Sequence, residues 1–109
     1  LNIKLVSLHH HGTMKHAGPA SLQQLSPLLE EIRAIGGLRE PKLGIFYRGA
    51  SAFLHFHEDP SGLFADVKLD GKAFSRFSVD DLEAQAKLLE LVARTLKDSG
   101  VCRRRSGQG

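Results

Sequence analysis

Between Lys42 and Phe77 the chain changes character every few residues, and that rhythm limits the folds open to it. Four segments of alternating apolar and polar residues, LGIFYR, SAFLHFH, LFADVKL and AFSRF, are separated by RGAS, EDPSG and DGK. Short β-prone runs bounded by Gly, Pro, Asp and Ser read as strands joined by tight turns. Consecutive strands joined this way assemble most economically as an antiparallel meander. Gly49-Ala50 suits a two-residue type II′ turn, with glycine at the position of positive φ. Asp70-Gly71 is a further hairpin signal, and Asp59-Pro60-Ser61-Gly62 reads as turn chemistry and not as a calcium loop, which needs more oxygen ligands.

Helical periodicity flanks the strands. Apolar residues at 22, 25, 28, 29, 32 and 35 share one helix face. Ser21 with Gln24 forms a capping box, Ser26-Pro27 supplies a second start, and Gly36-Gly37 ends the run. Pro27 restarts the helix because it has no N–H to donate. After the strands, Ser78 to Asp81 provide an N-cap and early acidic charge. Leu82, Ala86, Leu89, Val92, Ala93 and Leu96 then form a stripe that Gly100 stops, with Glu83–Lys87 and Glu90–Arg94 paired on the exposed side. The expected fold is α+β: a two-layer sandwich in which a four-strand antiparallel meander is flanked by an N-terminal and a C-terminal helix packed on one sheet face.

With 109 residues there is room for one domain. It is expected over residues 14–101, with 1–13 a tag-like or upstream segment and 102–109 a basic flexible tail. LNIKLVSL alternates as a short strand would, HHHGT reads as a linker and Met14 as a start, so His9, His10 and His11 are set aside from functional argument. The net charge of +3 arises in Arg103, Arg104 and Arg105: without them 15 − 3 = 12 basic residues face 12 acidic ones. The body is neutral, so strong nucleic-acid binding is not expected, only a salt-sensitive attraction of the tail for phosphates. No apolar run approaches the ~20 residues that span a bilayer. A single cysteine, Cys102, excludes an internal disulfide and points to a reducing, cytoplasmic compartment.

Register follows from the Gly49-Ala50 turn. It sets Arg48 opposite Ser51, Tyr47 opposite Ala52, Phe46 opposite Phe53, Ile45 opposite Leu54 and Leu43 opposite Phe56. Alternation then gives a core face of Leu43, Ile45, Tyr47, Ala52, Leu54, Phe56, Leu63, Ala65, Val67 and Leu69. The other face carries Lys42, Gly44, Phe46, Arg48, Ser51, Phe53, His55, His57, Phe64, Asp66 and Lys68. Two registers of the next hairpin preserve this parity, one placing His55 beside Asp66 and the other beside Phe64. Three phenylalanines on an open face mark an interface or ligand groove. Phe46, Arg48, Phe53, His55, His57, Phe64, Asp66 and Lys68 are therefore the candidate binding residues.

His55 and His57, two apart on a strand, point the same way, and Asp66 on the next strand completes a two-histidine, one-carboxylate metal set. No nucleophile motif, Walker loop, dinucleotide fingerprint or zinc-finger spacing is present. KLGIFYRGASAFLHFHEDPSGLFADVKL resembles the central segment of a small bacterial protein family of uncharacterised function, with FLHFHEDPSGLFAD its most specific part. Through element order the chain is also similar to the frataxin-like (YdhG/YjbR/CyaY) superfamily. That resemblance implies an iron-binding branch with an acidic first helix, or a branch suspected of binding DNA. The chain departs from both: its first helix carries only Glu30 and Glu31 as acids, and its body is neutral. The expected function is non-enzymatic: a small protein, without an obligate cofactor, that forms a homodimer or binds a partner through the open face. The alternative is a metal- or small-ligand-binding enzyme using His55, His57 and Asp66.

Overall fold

In the computed structural model the backbone is described for residues 15–108 and the side chains for residues 15–97; the segment 1–13 and its histidines lie outside them. The element order is β1 (Lys15–His16), α1 (Pro19–Gln24), α2 (Ser26–Ile35), β2 (Arg39–Lys42), β3 (Ile45–Arg48), β4 (Ser51–Asp59), β5 (Gly62–Val67), β6 (Ser75–Ser78) and α3 (Leu82–Gln108). This is an α+β arrangement around one antiparallel sheet. Strands β2-β3-β4-β5-β6 follow one another in space, and β1 pairs with the far end of β4. The meander thus has five strands where four were expected. The extra one is REPK, whose turn at Leu43-Gly44 is made possible by Gly44 at φ +77°. A polar strand at a sheet edge leaves no apolar alternation to read. Among the described residues, no helix is long and apolar enough to cross a membrane.

The expected break at Pro27 is present: α1 ends at Gln24, Leu25 forms the junction, and Pro27 sits in the first turn of α2. The start differs, since Gly18 and not Ser21 caps α1, and no side chain bonds there. Leu25, Leu28, Leu29 and Ile32 are buried as their spacing required. In α3 the buried stripe is Ala84, Leu88 and Val92, offset from the expected one, while Leu82 faces solvent at the helix start. Asp81 caps that start by accepting from the Ala84 N–H at 2.8 Å. The helical backbone also continues through Gly100 to Gln108. A glycine in a helix costs about 1 kcal/mol and so need not end it.

One irregularity decides which side chains the sheet buries. Arg48 pairs with Ser51 and Tyr47 with Ala52, as the turn dictates, but Phe46 pairs with Leu54. Phe53 is the extra residue of a β-bulge, and a one-residue insertion exchanges the faces of everything beyond it. Phe46, expected outside, is therefore 1% exposed in the core, and Leu43, expected inside, is 58% exposed in the β2–β3 turn. Phe53 itself is buried at 2% in the same cluster, which joins Leu54, Phe56, Ala65, Val67 and Phe77 to the apolar residues of α2 and α3. Phe64 keeps its expected parity yet is only 5% exposed. The three phenylalanines do not form an exposed aromatic patch.

Candidate metal centre

The β4–β5 ladder settles the second register. Asp59 pairs with Gly62 across a Pro60-Ser61 turn, which sets His55 opposite Asp66 and His57 opposite Phe64. On the far side of β5, Asp66 pairs with Arg76 of β6. On the other edge of β4, His16 of β1 pairs with His57. Paired residues share a sheet face. His16, His57, His55, Asp66 and Arg76 therefore lie together, on the face opposite Leu54, Phe56, Ala65 and Val67.

The three imidazoles converge. Each turns one ring nitrogen to the centre, and these nitrogens lie within 4.8 Å of one another. His16 stacks on His57 with centroids 4.7 Å apart and 27° between planes. His55 Nδ1 and His57 Nε2 are 3.0 Å apart. Phe74, in the β5–β6 connection, closes the far side of His55 at 4.8 Å, and the Lys68 ammonium lies 5.0 Å from the Phe74 ring. Arg48 is elsewhere, 5.7 Å from the Phe53 ring beside the hairpin turn.

Asp66 is adjacent but already engaged. Arg76 Nε and Nη2 donate to its Oδ1 and Oδ2 at 2.6 and 2.7 Å. His57 Nε2 approaches Oδ2 at 3.2 Å. Burial opposes ionisation of this carboxyl, but the Arg76 bonds and the His57 contact outweigh it and hold Asp66 well below the usual carboxylate range. Asp66 is thus a carboxylate fixed between a guanidinium and an imidazole, and the third nitrogen donor beside His55 and His57 is His16. Burial lowers the pKa of His55; Asp66 pulls it up, and His57, His16 and Arg76 lower it further. The neutral imidazole is the form that binds metals.

His57 shows whether these residues fit a cation. Its Nε2 is the ring nitrogen on the cluster side, 3.0 Å from His55 Nδ1 and 3.2 Å from Asp66 Oδ2. His57 Nδ1 is buried and has no hydrogen-bond partner. Leaving a buried polar atom unpaired costs about 1–3 kcal/mol. A carboxylate packed beside a ligating imidazole is a usual outer-shell feature of metal-binding histidines.

Of the candidates from sequence, the structure gathers His55, His57 and Asp66, with Lys68 at the margin, and removes Phe46, Phe53 and Arg48. His16, Phe74 and Arg76 were missed. Arg76 was legible in principle, because AFSRF alternates it with Phe77. His16 was not, since nothing in KHAG announces a two-residue strand. No family model, curated protein or solved structure matches the chain.

Proposed function

We propose that this is a small metal-binding protein whose site is made by His16, His55 and His57, with Asp66 orienting His57. The observation that carries the reading is the convergence of three imidazoles from two strands on one sheet face. Three nitrogen donors and no free carboxylate favour a borderline transition-metal ion such as Zn²⁺, Ni²⁺ or Cu²⁺ over Mg²⁺ or Ca²⁺, which require oxygen. Three protein ligands also leave a coordination position for water or a small ligand, as in zinc sites that are not purely structural. Arg76 neutralises Asp66, so the carboxylate offers outer-sphere orientation and does not draw hard cations.

Ligand nitrogens on a tetrahedral zinc ion are about 3.3 Å apart. The present spread of 4.8 Å must therefore close by about 1.5 Å at its widest. His16 is exposed on a two-residue strand and is the member with freedom to do so. The test uses the full chain with His9→Ala, His10→Ala and His11→Ala, so that the N-terminal histidines contribute nothing. Zinc titration followed by calorimetry should show one ion per chain, with His55→Ala and His57→Ala each abolishing the transition. A background protein that takes up no zinc at a Kd below about 100 µM would end the reading.

A further inference from the structure

The cluster draws its ligands from segments held with very different strength. His55 and His57 belong to β4, a nine-residue strand with neighbours on both sides and its alternate residues in the core. His16 belongs to β1, whose two residues are both exposed. The α1 helix that follows buries none of its residues. Partly buried Ala17 and Leu22 rest against the core, and beyond them this edge is held by a short set of polar links to β4. The Ala17 N–H donates to Phe56 O at 3.1 Å, the Gly18 N–H donates to Glu58 Oε1 at 2.8 Å, and Lys15 Nζ lies 3.8 Å from Glu58 Oε2. Segments with exposed backbone bonds and little apolar burial open locally at small free-energy cost.

Resting on the metal-binding reading above, we propose that the ion is a clasp: binding at His55 and His57 recruits His16 and fastens residues 15–22 to the edge of β4. The clasp makes the exposure of that edge depend on metal. Without the ion, β1 opens more often, and each opening uncovers the backbone of His57 and Glu58, an unpaired strand edge. With it, His16 is tied across the ladder and the edge is closed. No bond to carbon changes; the ion exchanges water for imidazole nitrogen.

Linkage makes the idea quantitative. When β1 opens, His55 and His57 still hold the ion with two ligands. Saturating metal therefore stabilises the closed form only by the ratio of three-ligand to two-ligand affinity. Coupling free energies are reciprocal, so that same ratio is the factor by which removing His16 weakens metal binding.

The experiment measures both factors on the full chain carrying His9→Ala, His10→Ala and His11→Ala, with zinc chloride as the probe. Amide hydrogen exchange, read by NMR with and without saturating zinc, should slow at Ala17 and Gly18 by roughly 5- to 150-fold. Val79, whose N–H bonds Leu63 O within the meander, serves as reference and should stay unchanged. Adding His16→Ala should weaken zinc by the same factor and remove the slowing; because His16 is exposed, this variant is expected to fold. Zinc bound at one ion per chain with no slowing at Ala17 and Gly18 would overturn the clasp and leave the metal site standing. Factors that disagree by more than about threefold would overturn it too, since linkage allows only one value. No zinc uptake by the background protein would overturn the metal-binding reading and the clasp with it.

Discussion

Replacing Arg76 by methionine tests the electrostatic core of the site without any metal. Arg76 and Asp66 are buried to 8% and 4% exposure, and two short hydrogen bonds join them. Methionine fills similar volume but removes the guanidinium, leaving a carboxylate beneath the sheet face with only His57 beside it. Breaking a buried ion pair from one side typically costs about 3–5 kcal/mol, because the remaining charge is desolvated and uncompensated. At a urea m-value of about 1–3 kcal/mol/M, that loss moves the unfolding midpoint down by about 2 M. The assay is urea denaturation in excess chelator, followed by circular dichroism, on the parent, Arg76→Met, Asp66→Asn and the double variant. Asp66→Asn added to Arg76→Met removes the stranded charge, so the double variant should be more stable than Arg76→Met alone. Such a cycle isolates the pair from effects of either side chain on its surroundings. Arg76→Met within about 0.5 kcal/mol of the parent would refute the reasoning. So would a double variant no more stable than Arg76→Met.

Three further outcomes follow from the packing and the ion pairs. Phe46→Ala should cost about 3–5 kcal/mol as a buried aromatic truncation, whereas Leu43→Ser should change stability by less than about 0.5 kcal/mol; thermal melts giving the reverse order would deny the bulge at Phe53. Gly62 has φ +146°, and a Cβ there would collide with the Asp80 carboxylate that accepts from the Leu63 N–H. Gly62→Ala should therefore cost about 1–3 kcal/mol by urea denaturation, and a neutral result would contradict this geometry. Glu40 accepts from Arg33 Nε at 2.6 Å, from Arg33 Nη2 at 3.0 Å and from the Gly44 N–H at 2.8 Å. The Arg33 bonds, more than the opposing burial, hold its pKa below the ordinary 4.5. A depressed folded-state pKa stabilises the fold above the unfolded-state value, and that contribution is lost as pH falls through the folded one. The stability gap between parent and Glu40→Gln should accordingly be full near neutral pH and shrink below about pH 4.5. A gap that grows on acidification would reverse the sign and sink the assignment.

Local rules carried far in this chain wherever a signal and its consequence were close in sequence. Pro27 divided the first helical run as its missing N–H requires, and the Gly49-Ala50 turn paired Arg48 with Ser51 and Tyr47 with Ala52. The alternation of FLHFH sorted His55 and His57 from Leu54 and Phe56, and that sorting holds because the residues are consecutive on one strand. Asp66 beside His55 was one of two registers of equal parity; a Pro60-Ser61 turn with Asp59 paired to Gly62 selects it.

What the sequence could not decide depends on groups far apart in the chain. The bulge at Phe53 is a compromise between the hairpin turn and the core, and it moved Phe46 inward by a single inserted residue. The same event turned an expected aromatic recognition face into buried packing. His16 joins His57 only because β1 occupies the part of the β4 edge that β3 leaves uncovered, some forty positions away, and two residues hold too little pattern to announce it. Arg76 reaches Asp66 across a ladder, and so a carboxylate that looked like a ligand is an anchored partner. Alternation along one strand fixes where a side chain points. Which other side chains meet it there is decided by long-range pairing, whose free energy is spread over the whole sheet.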